Sequence, residues 1–184
     1  MTAPGRGKLV VISGPSGAGK TSVCRALKEL PGVEFSVSAT TRARREGERD
    51  GVDYFFLTDE EFTRRVEAGE FLEWARYNRH RYGTLRGPMD AALEAGKTFV
   101  VEIEVQGTRQ LRAAKVPGIY VFIVPPDIET LRKRLLKRAA NTNEEIEARL
   151  EIARRELEAA DLYDHVIVNE DLDGTIRRVA ELIS

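Results

Sequence analysis

Gly14-Pro15-Ser16-Gly17-Ala18-Gly19-Lys20-Thr21 follows the apolar run Leu9–Ser13 and leads into a helical pattern, Thr21–Leu30, that stops at Pro31-Gly32. The octet has the form G-x-x-x-x-G-K-[ST], and a strand before it with a helix after it is the setting that gives the motif meaning. Glycines let successive backbone N–H groups curl around phosphate oxygens with no Cβ in the way. The helix that follows aims the positive end of its dipole at the same anion. On this reading Gly14, Pro15, Ser16, Gly17, Ala18, Gly19, Lys20, Thr21 and the adjoining Ser22 line a nucleoside triphosphate site. Lys20 would reach the β- and γ-phosphates, and the Thr21 hydroxyl would hold Mg2+.

Working outward, four more runs read as buried strands: Phe35–Ala39, Thr98–Ile103, Tyr120–Val124 and His165–Val168. They are rich in Val, Ile and Phe and mostly continuous rather than alternating, which suits a parallel sheet covered on both faces. Helical patterns lie at Gly107–Lys115, Ile128–Ala139, Glu144–Ala160 and Asp173–Ile183, with charge pairs such as Glu151 and Arg155 at i,i+4 spacing. Strand and helix alternate, so the fold class is α/β, a P-loop NTPase-type parallel sheet flanked by helices. Thr40–Met89 interrupts the alternation. It holds a basic loop, a strand at Asp53–Leu57, a helix at Thr58–Ala68 opened by the capping-box form Thr58-Asp59-Glu60-Glu61 and closed by Gly69, and a strand at Phe71–Tyr77. The predicted organisation is one domain: a core of about 5–37, 91–126 and 160–184, an inserted small mixed α+β acceptor-binding subdomain at about 38–90, and a helical lid at about 127–159.

Composition sets the outer bounds. The 184 residues suit a single domain, and 42% hydrophobic content suits a packed core. With 29 cations, 30 anions and a net charge of -1, bulk electrostatics does not favour nucleic acid or an anionic membrane. Cys24 is the only cysteine, and His80 and His165 match no metal spacing, so neither an intrachain disulfide nor a His/Cys metal centre is expected. No run approaches the ~18 apolar residues of a membrane span, and Met1–Lys8 is too short and polar for a signal peptide. A cytoplasmic protein is the expectation. The cations comprise 22 arginines and 7 lysines, an excess that a GC-rich genome or a need for phosphate-binding forks would each explain.

A P-loop does not say where the phosphoryl group goes. The chain lacks the N-K-x-D of a regulatory GTPase and a Ser-Gly-Gly transporter signature, and its D-x-x-G, Asp171–Gly174, falls after the last strand. A small kinase fits the length, and it needs a second anion site. Two arginine groups are candidates: Arg42, Arg44, Arg45 and Arg49, and then Arg76, Arg79, Arg81 and Arg86, interleaved with Tyr54, Tyr77 and Tyr82. Each group is either a phosphate clamp or a solvated basic face. A carboxylate ending a central strand, Glu102, is where P-loop enzymes support Mg2+, usually through water.

Phe35–Glu48, with its run Ser38-Ala39-Thr40-Thr41-Arg42-Ala43-Arg44-Arg45, resembles the signature segment of guanylate kinases. Gly51–Phe56, Glu70–Ala75 and Tyr82-Gly83-Thr84 are similar to the segments that follow it, and the likeness runs in order from the P-loop to Val168-Asn169-Glu170-Asp171. The resemblance implies an ATP:GMP phosphotransferase, acting on GMP and dGMP with Mg2+ and giving GDP and ADP in purine nucleotide metabolism. It implies that Arg42, Arg45, Tyr54 and Tyr82 hold the GMP phosphate and that Ser38, Glu73 and Thr84 read the guanine, with Glu104 also on the GMP side. For Glu73 the chemistry agrees independently. Guanine offers two adjacent donors that one carboxylate accepts together, and a site built that way rejects analogues lacking them by roughly 10⁴-fold.

The family usually has two aspartates where this chain has Glu102 and Glu104, and Arg-Gly-Thr where it has Arg138-Ala139-Ala140. The resemblance places Arg134, Arg138 and Arg149 on a lid whose closure excludes water and brings positive charge to the transferring group. Salt bridging along a solvated helix is the other reading of these three. Lys20, Arg42, Arg138 and Arg149 are the expected catalytic set. A monomer or homodimer is expected, with no nucleic acid or membrane partner. Two competing readings keep the fold: a protein-binding guanylate-kinase-like module, disfavoured because Lys20 and Thr21 are present, and a kinase of a phosphorylated sugar, which would not need Glu73.

Overall fold

β1 (Lys8–Ser13) is apolar at Leu9, Val10, Val11 and Ile12 alike, so both of its faces must be covered and it belongs in the middle of a sheet. In the computed structural model, which describes residues 7–77, 79–138 and 142–183, it does lie there. The sheet has five strands in the order β2-β7-β1-β8-β9, with β2 (Val33–Phe35), β7 (Thr98–Glu102), β8 (Ile119–Val124) and β9 (His165–Val168), and every pairing is parallel. Alternate side chains divide the core. Val10 and Ile12 join Val100, Val121 and Ile123 under α1 (Lys20–Leu27) and α7 (Leu172–Ile183). Leu9 and Val11 join Phe99, Val101, Tyr120 and Phe122 on the opposite face, under α3 (Arg86–Glu94) and α4 (Val105–Ala113).

A second sheet of four strands runs in the order β4-β3-β6-β5, with β3 (Ser38–Thr40), β4 (Phe55–Phe56), β5 (Phe71–Tyr77) and β6 (His80–Leu85). It is mixed: β3 pairs parallel with β4 and antiparallel with β6. One face is closed by α2 (Asp59–Glu67), whose Phe62 is fully buried and stacks on Phe71 with centroids 4.4 Å apart. Arg81 extends across the same face to Asp59 at 2.7 Å and Thr63 at 2.9 Å, its guanidinium over the Phe62 ring. A third apolar cluster joins α5 (Ile128–Arg138) to α6 (Asn143–Leu157) through Leu131, Leu135, Ile146, Leu150 and Ala153. Among the described residues no helix is long and apolar enough to cross a membrane.

Several expectations need correction. The predicted strand Phe35–Ala39 is two strands: β2 leaves the parallel sheet at Phe35, and β3 begins the second sheet at Ser38. Both halves are apolar enough to look continuous, and a break between sheets leaves no mark in hydropathy. Asp53–Leu57 shortens to Phe55–Phe56, because the Asp50 and Asp53 carboxylates cap backbone N–H groups in a turn there. β6 and α3 were unforeseen. β6 carries Gly83 and polar residues yet pairs on both edges, and Pro88 sits in the first turn of α3, where a missing N–H costs nothing. The capping box expected at Thr58 is half formed: Thr58 Oγ1 accepts from Glu61 N–H, but the Glu61 carboxylate turns to Arg65. A complete box caps α6, between Thr142 and Glu145.

Phe62 is the pivot of the second sheet, so Phe62→Ala should cost about 3–5 kcal/mol in chemical denaturation. A loss below ~1 kcal/mol would show that this layer repacks freely.

Candidate active site

The loop after β1 is held by backbone geometry that only glycine permits. Gly14 and Gly19 adopt φ of 148° and 102°, and a Cβ on them would stand 2.0 Å from the Ile123 carbonyl oxygen and 2.2 Å from Asn169 Nδ2. A Cβ on Gly17 would meet Leu131 Cδ1 at 2.8 Å. The loop therefore packs without side chains against β8, the segment after β9 and α5 at once. Lys20 opens α1, and its ammonium donates to Gly14 O at 2.5 Å and Pro15 O at 3.1 Å, turned back into the cradle. Burial pulls its pKa down, and Glu102, Glu156 and Glu104 offset part of that pull. Ala18 is buried, while Ser16 and Thr21 are exposed and Ser22 is half-buried. Thr21 Oγ1 lies 3.5 Å from Glu102 Oε1 at the end of β7, so a hydroxyl and a carboxylate share the mouth of the loop.

The second sheet builds a row on the face away from α2. Ser38 stands opposite Thr84, and Thr84 opposite Glu73, across three adjacent strands. Thr84 Oγ1 donates to Glu73 Oε1 at 2.7 Å. Glu73 Oε2 abuts Gly107 in α4, where a Cβ would sit 2.7 Å away, so the absence of a side chain makes room for the carboxylate. Glu73 is 8% exposed, and burial pushes its pKa up, with Thr84 pulling the other way and Glu104 adding a smaller push. Glu104, the exposed residue capping α4, is thus felt by both Lys20 and Glu73.

One register step along, Tyr82 stands opposite Thr40, and the Tyr54 and Tyr82 rings meet edge-on with centroids 6.2 Å apart. Arg42 lies over the Tyr54 ring and grips Glu48 with both arms of its fork, at 2.7 and 3.1 Å. The bond to Glu48 raises the Arg42 pKa and lowers that of Glu48. Arg45 donates its backbone N–H to the same carboxylate at 2.8 Å, its side chain exposed. The second arginine group does not converge: Arg81 is on the α2 face, and Arg76, Arg79 and Arg86 are exposed. Arg149 is exposed on α6. The side chain of Arg138 and the pair Ala139-Ala140 lie outside the described residues.

Arg134, expected either on a lid or in helix salt bridges, lies on α5 and donates to Asn169 O at 2.9 Å and Ala18 O at 3.4 Å. Asn169 itself was missed. Buried after β9, it donates to Ala18 O at 2.7 Å and accepts from Thr175 at 3.1 Å, and so fastens the loop from beneath. A polar residue just past the last strand of a parallel sheet was the available signal, since ligands collect at those ends. Glu48 and Gly107 were missed as well, and nothing in their local sequence sets them apart.

Comparison with known proteins converges on one family. The guanylate kinase family model matches residues 6–184. The chain is 45% identical to the guanylate kinase of Thermotoga maritima over 179 residues, covering 97% of this chain and 86% of that protein. It is 42% identical to the guanylate kinase of Caldanaerobacter subterraneus, over 100% of this chain and 89% of the relative. The crystal structure of guanylate kinase from Anaplasma phagocytophilum superposes with a TM-score of 0.76 at 33% identity, covering 97% of this chain and 85% of that one.

Removing the Asn169 side chain should loosen the loop and not the second sheet. Asn169→Ala is expected to weaken ATP binding about tenfold by calorimetry, the worth of a buried bond or two, with GMP binding within twofold. Glu73 supplies a stability test. Its raised pKa means that, between the ordinary carboxylate value and the raised one, the folded chain keeps a proton the unfolded chain has lost. Stability is lost as pH rises through that window. Glu73→Gln should therefore melt about 2–4 °C above the parent at pH 8 and level with it near pH 4; equal gaps at both would contradict the buried carboxylate.

Proposed function

The chain belongs to the guanylate kinase family and is a kinase that passes a phosphoryl group from ATP to GMP, and from that premise we propose how its own residues divide the work. The carrying observation is the row Ser38, Thr84, Glu73, a polar strip ending in a buried carboxylate beside α4. Glu73 accepts the guanine N1–H and 2-amino protons, Thr84 holds the carboxylate in plane, and Ser38 and Glu104 border the base. Adenine would turn a lone pair toward Glu73 and leave the buried charge unmatched. dGMP differs away from the base and remains an acceptor.

The acceptor phosphate goes to Arg42, Arg45, Tyr54 and Tyr82. Glu48 holds the Arg42 fork, so phosphate binding exchanges one pair of charge-assisted bonds for another on a guanidinium aimed over Tyr54. The ATP phosphates lie in the N–H cradle of Gly14–Thr21, and Lys20 releases the Gly14 and Pro15 carbonyls to neutralise developing charge. Arg138 and Arg149 are assigned to the transferring group from the helical hairpin.

The Thr21 hydroxyl and the Glu102 carboxylate are hard oxygen donors that fit Mg2+ carried on nucleotide phosphates, with Glu102 acting partly through water. Bound there, the ion would neutralise phosphate charge. Glu102, one methylene longer than the aspartate the family usually has, comes within 3.5 Å of Thr21 Oγ1, which supports its sharing the ion with that hydroxyl. No general base is required, because the acceptor phosphate is already anionic and positioning supplies most of the rate.

A coupled assay with ATP and each of GMP, dGMP, AMP, CMP and UMP tests the reading. GMP and dGMP should turn over, and AMP should lag by roughly 10⁴-fold in kcat/KM. Equal turnover of AMP would overturn the guanine assignment. Glu73→Gln should raise the KM for GMP about 100-fold and leave that for ATP within twofold.

A further inference from the structure

β5 is an edge strand of the second sheet, and among the described residues no strand lies beside its outer backbone. At one residue a side chain takes that place. Gln110 of α4 accepts from the Trp74 backbone N–H at 3.2 Å and donates through Nε2 to the Trp74 carbonyl at 2.6 Å, so one amide supplies one rung of a β-ladder. The rung falls next to Glu73. It also falls where β5 needs it, because the pairing of β5 with β6 slips register between Phe71 and Glu73. Pairing with β6 is thus interrupted immediately before the residue that carries the carboxylate.

The helix that provides the rung is fixed from the other side. Leu111, the next residue, is fully buried in the cluster that covers one face of the parallel sheet. Gly107, three residues earlier and so on the same side of α4 as Gln110, is the glycine that abuts Glu73 Oε2. Trp74 in turn packs its ring edge-on against Phe62 under the second sheet, with centroids 6.1 Å apart. Alternation along the strand then sends Glu73 to the opposite face.

We propose that Gln110 is a positioning residue for base recognition: its two bonds to Trp74 set the backbone from which Glu73 reaches, and so fix the carboxylate relative to the core sheet as well as to Thr84. The proposal rests on the reading of Glu73 given above. Its consequence is selective. A carboxylate accepting two adjacent donors is more sensitive to orientation than one accepting a single donor, so loss of Gln110 falls hardest on the contact to the 2-amino group.

Gln110→Met keeps length and helix propensity and removes both bonds. Dissociation constants for GMP and for inosine monophosphate, which lacks only the 2-amino group, are to be measured by calorimetry in the parent, Gln110→Met and Glu73→Gln, together with KM for ATP. Gln110→Met should weaken GMP about tenfold, cut the preference for GMP over inosine monophosphate about fivefold or more, and leave the KM for ATP within twofold. If both nucleotides weaken equally, Gln110 merely supports the fold and the proposal fails while Glu73→Gln still abolishes the preference. If Glu73→Gln itself leaves the preference intact, the reading of Glu73 fails and takes this one with it. Should Gln110→Met prove too unstable, Gln110→Leu removes both bonds with an uncharged helix-forming side chain, and the same ratio decides.

Discussion

The proposed donor site depends on a loop with no room for a side chain at three of its positions. Three glycines of the octet each lie against a different element: Gly14 against β8, Gly17 against α5 and Gly19 against Asn169. These contacts fix the course of the loop backbone from three sides. Asn169 and Arg134 finish the work by satisfying the Ala18 carbonyl, which would otherwise face a buried site unpaired. The parallel sheet supplies the scaffold for this, since the ends of β1, β8 and β9 meet at the loop.

Charge follows the same logic of prior commitment. Lys20 rests on two loop carbonyls and Arg42 on Glu48, so both cations have protein partners. Binding an anionic substrate is then an exchange of partners rather than the ordering of free side chains, and little rotamer entropy is lost at that moment. The acidic residues that balance them, Glu48 near Arg42 and Glu102, Glu104 and Glu156 around Lys20, explain how a chain of net charge -1 carries two concentrated cationic points.

How much of this was legible depended on whether the signal was local. The octet, the two-faced apolar strands and the long amphipathic helices announce themselves by spacing, and they set the fold class. The row Ser38, Thr84, Glu73 does not, since its members come from three strands and only register unites them; resemblance to a family supplied it. Arg81 shows the converse. By composition it belonged to a basic cluster, yet strand alternation turned it to the α2 face, where it joins Asp59 and Thr63. Gly107 and Asn169 act through contacts with residues distant in the chain, and only the place of Asn169 just past β9 marks it; Glu48 meets Arg42 six residues away, but across a loop whose turn the composition does not announce.

The hairpin of α5 and α6 stands on a different footing from both sheets. Its apolar cluster is its own, separate from the clusters that close the parallel sheet and the second sheet. A unit with a private core can move without unpacking its neighbours. Its base, however, is fastened to the Gly14–Thr21 loop, through Leu131 and Leu135 against Gly17 and through Arg134 to Ala18 and Asn169. Arg149 and the end of α5 lie beyond that base. The base of the hairpin and the Gly14–Thr21 loop therefore share one set of contacts, and a displacement of either would be felt by the other.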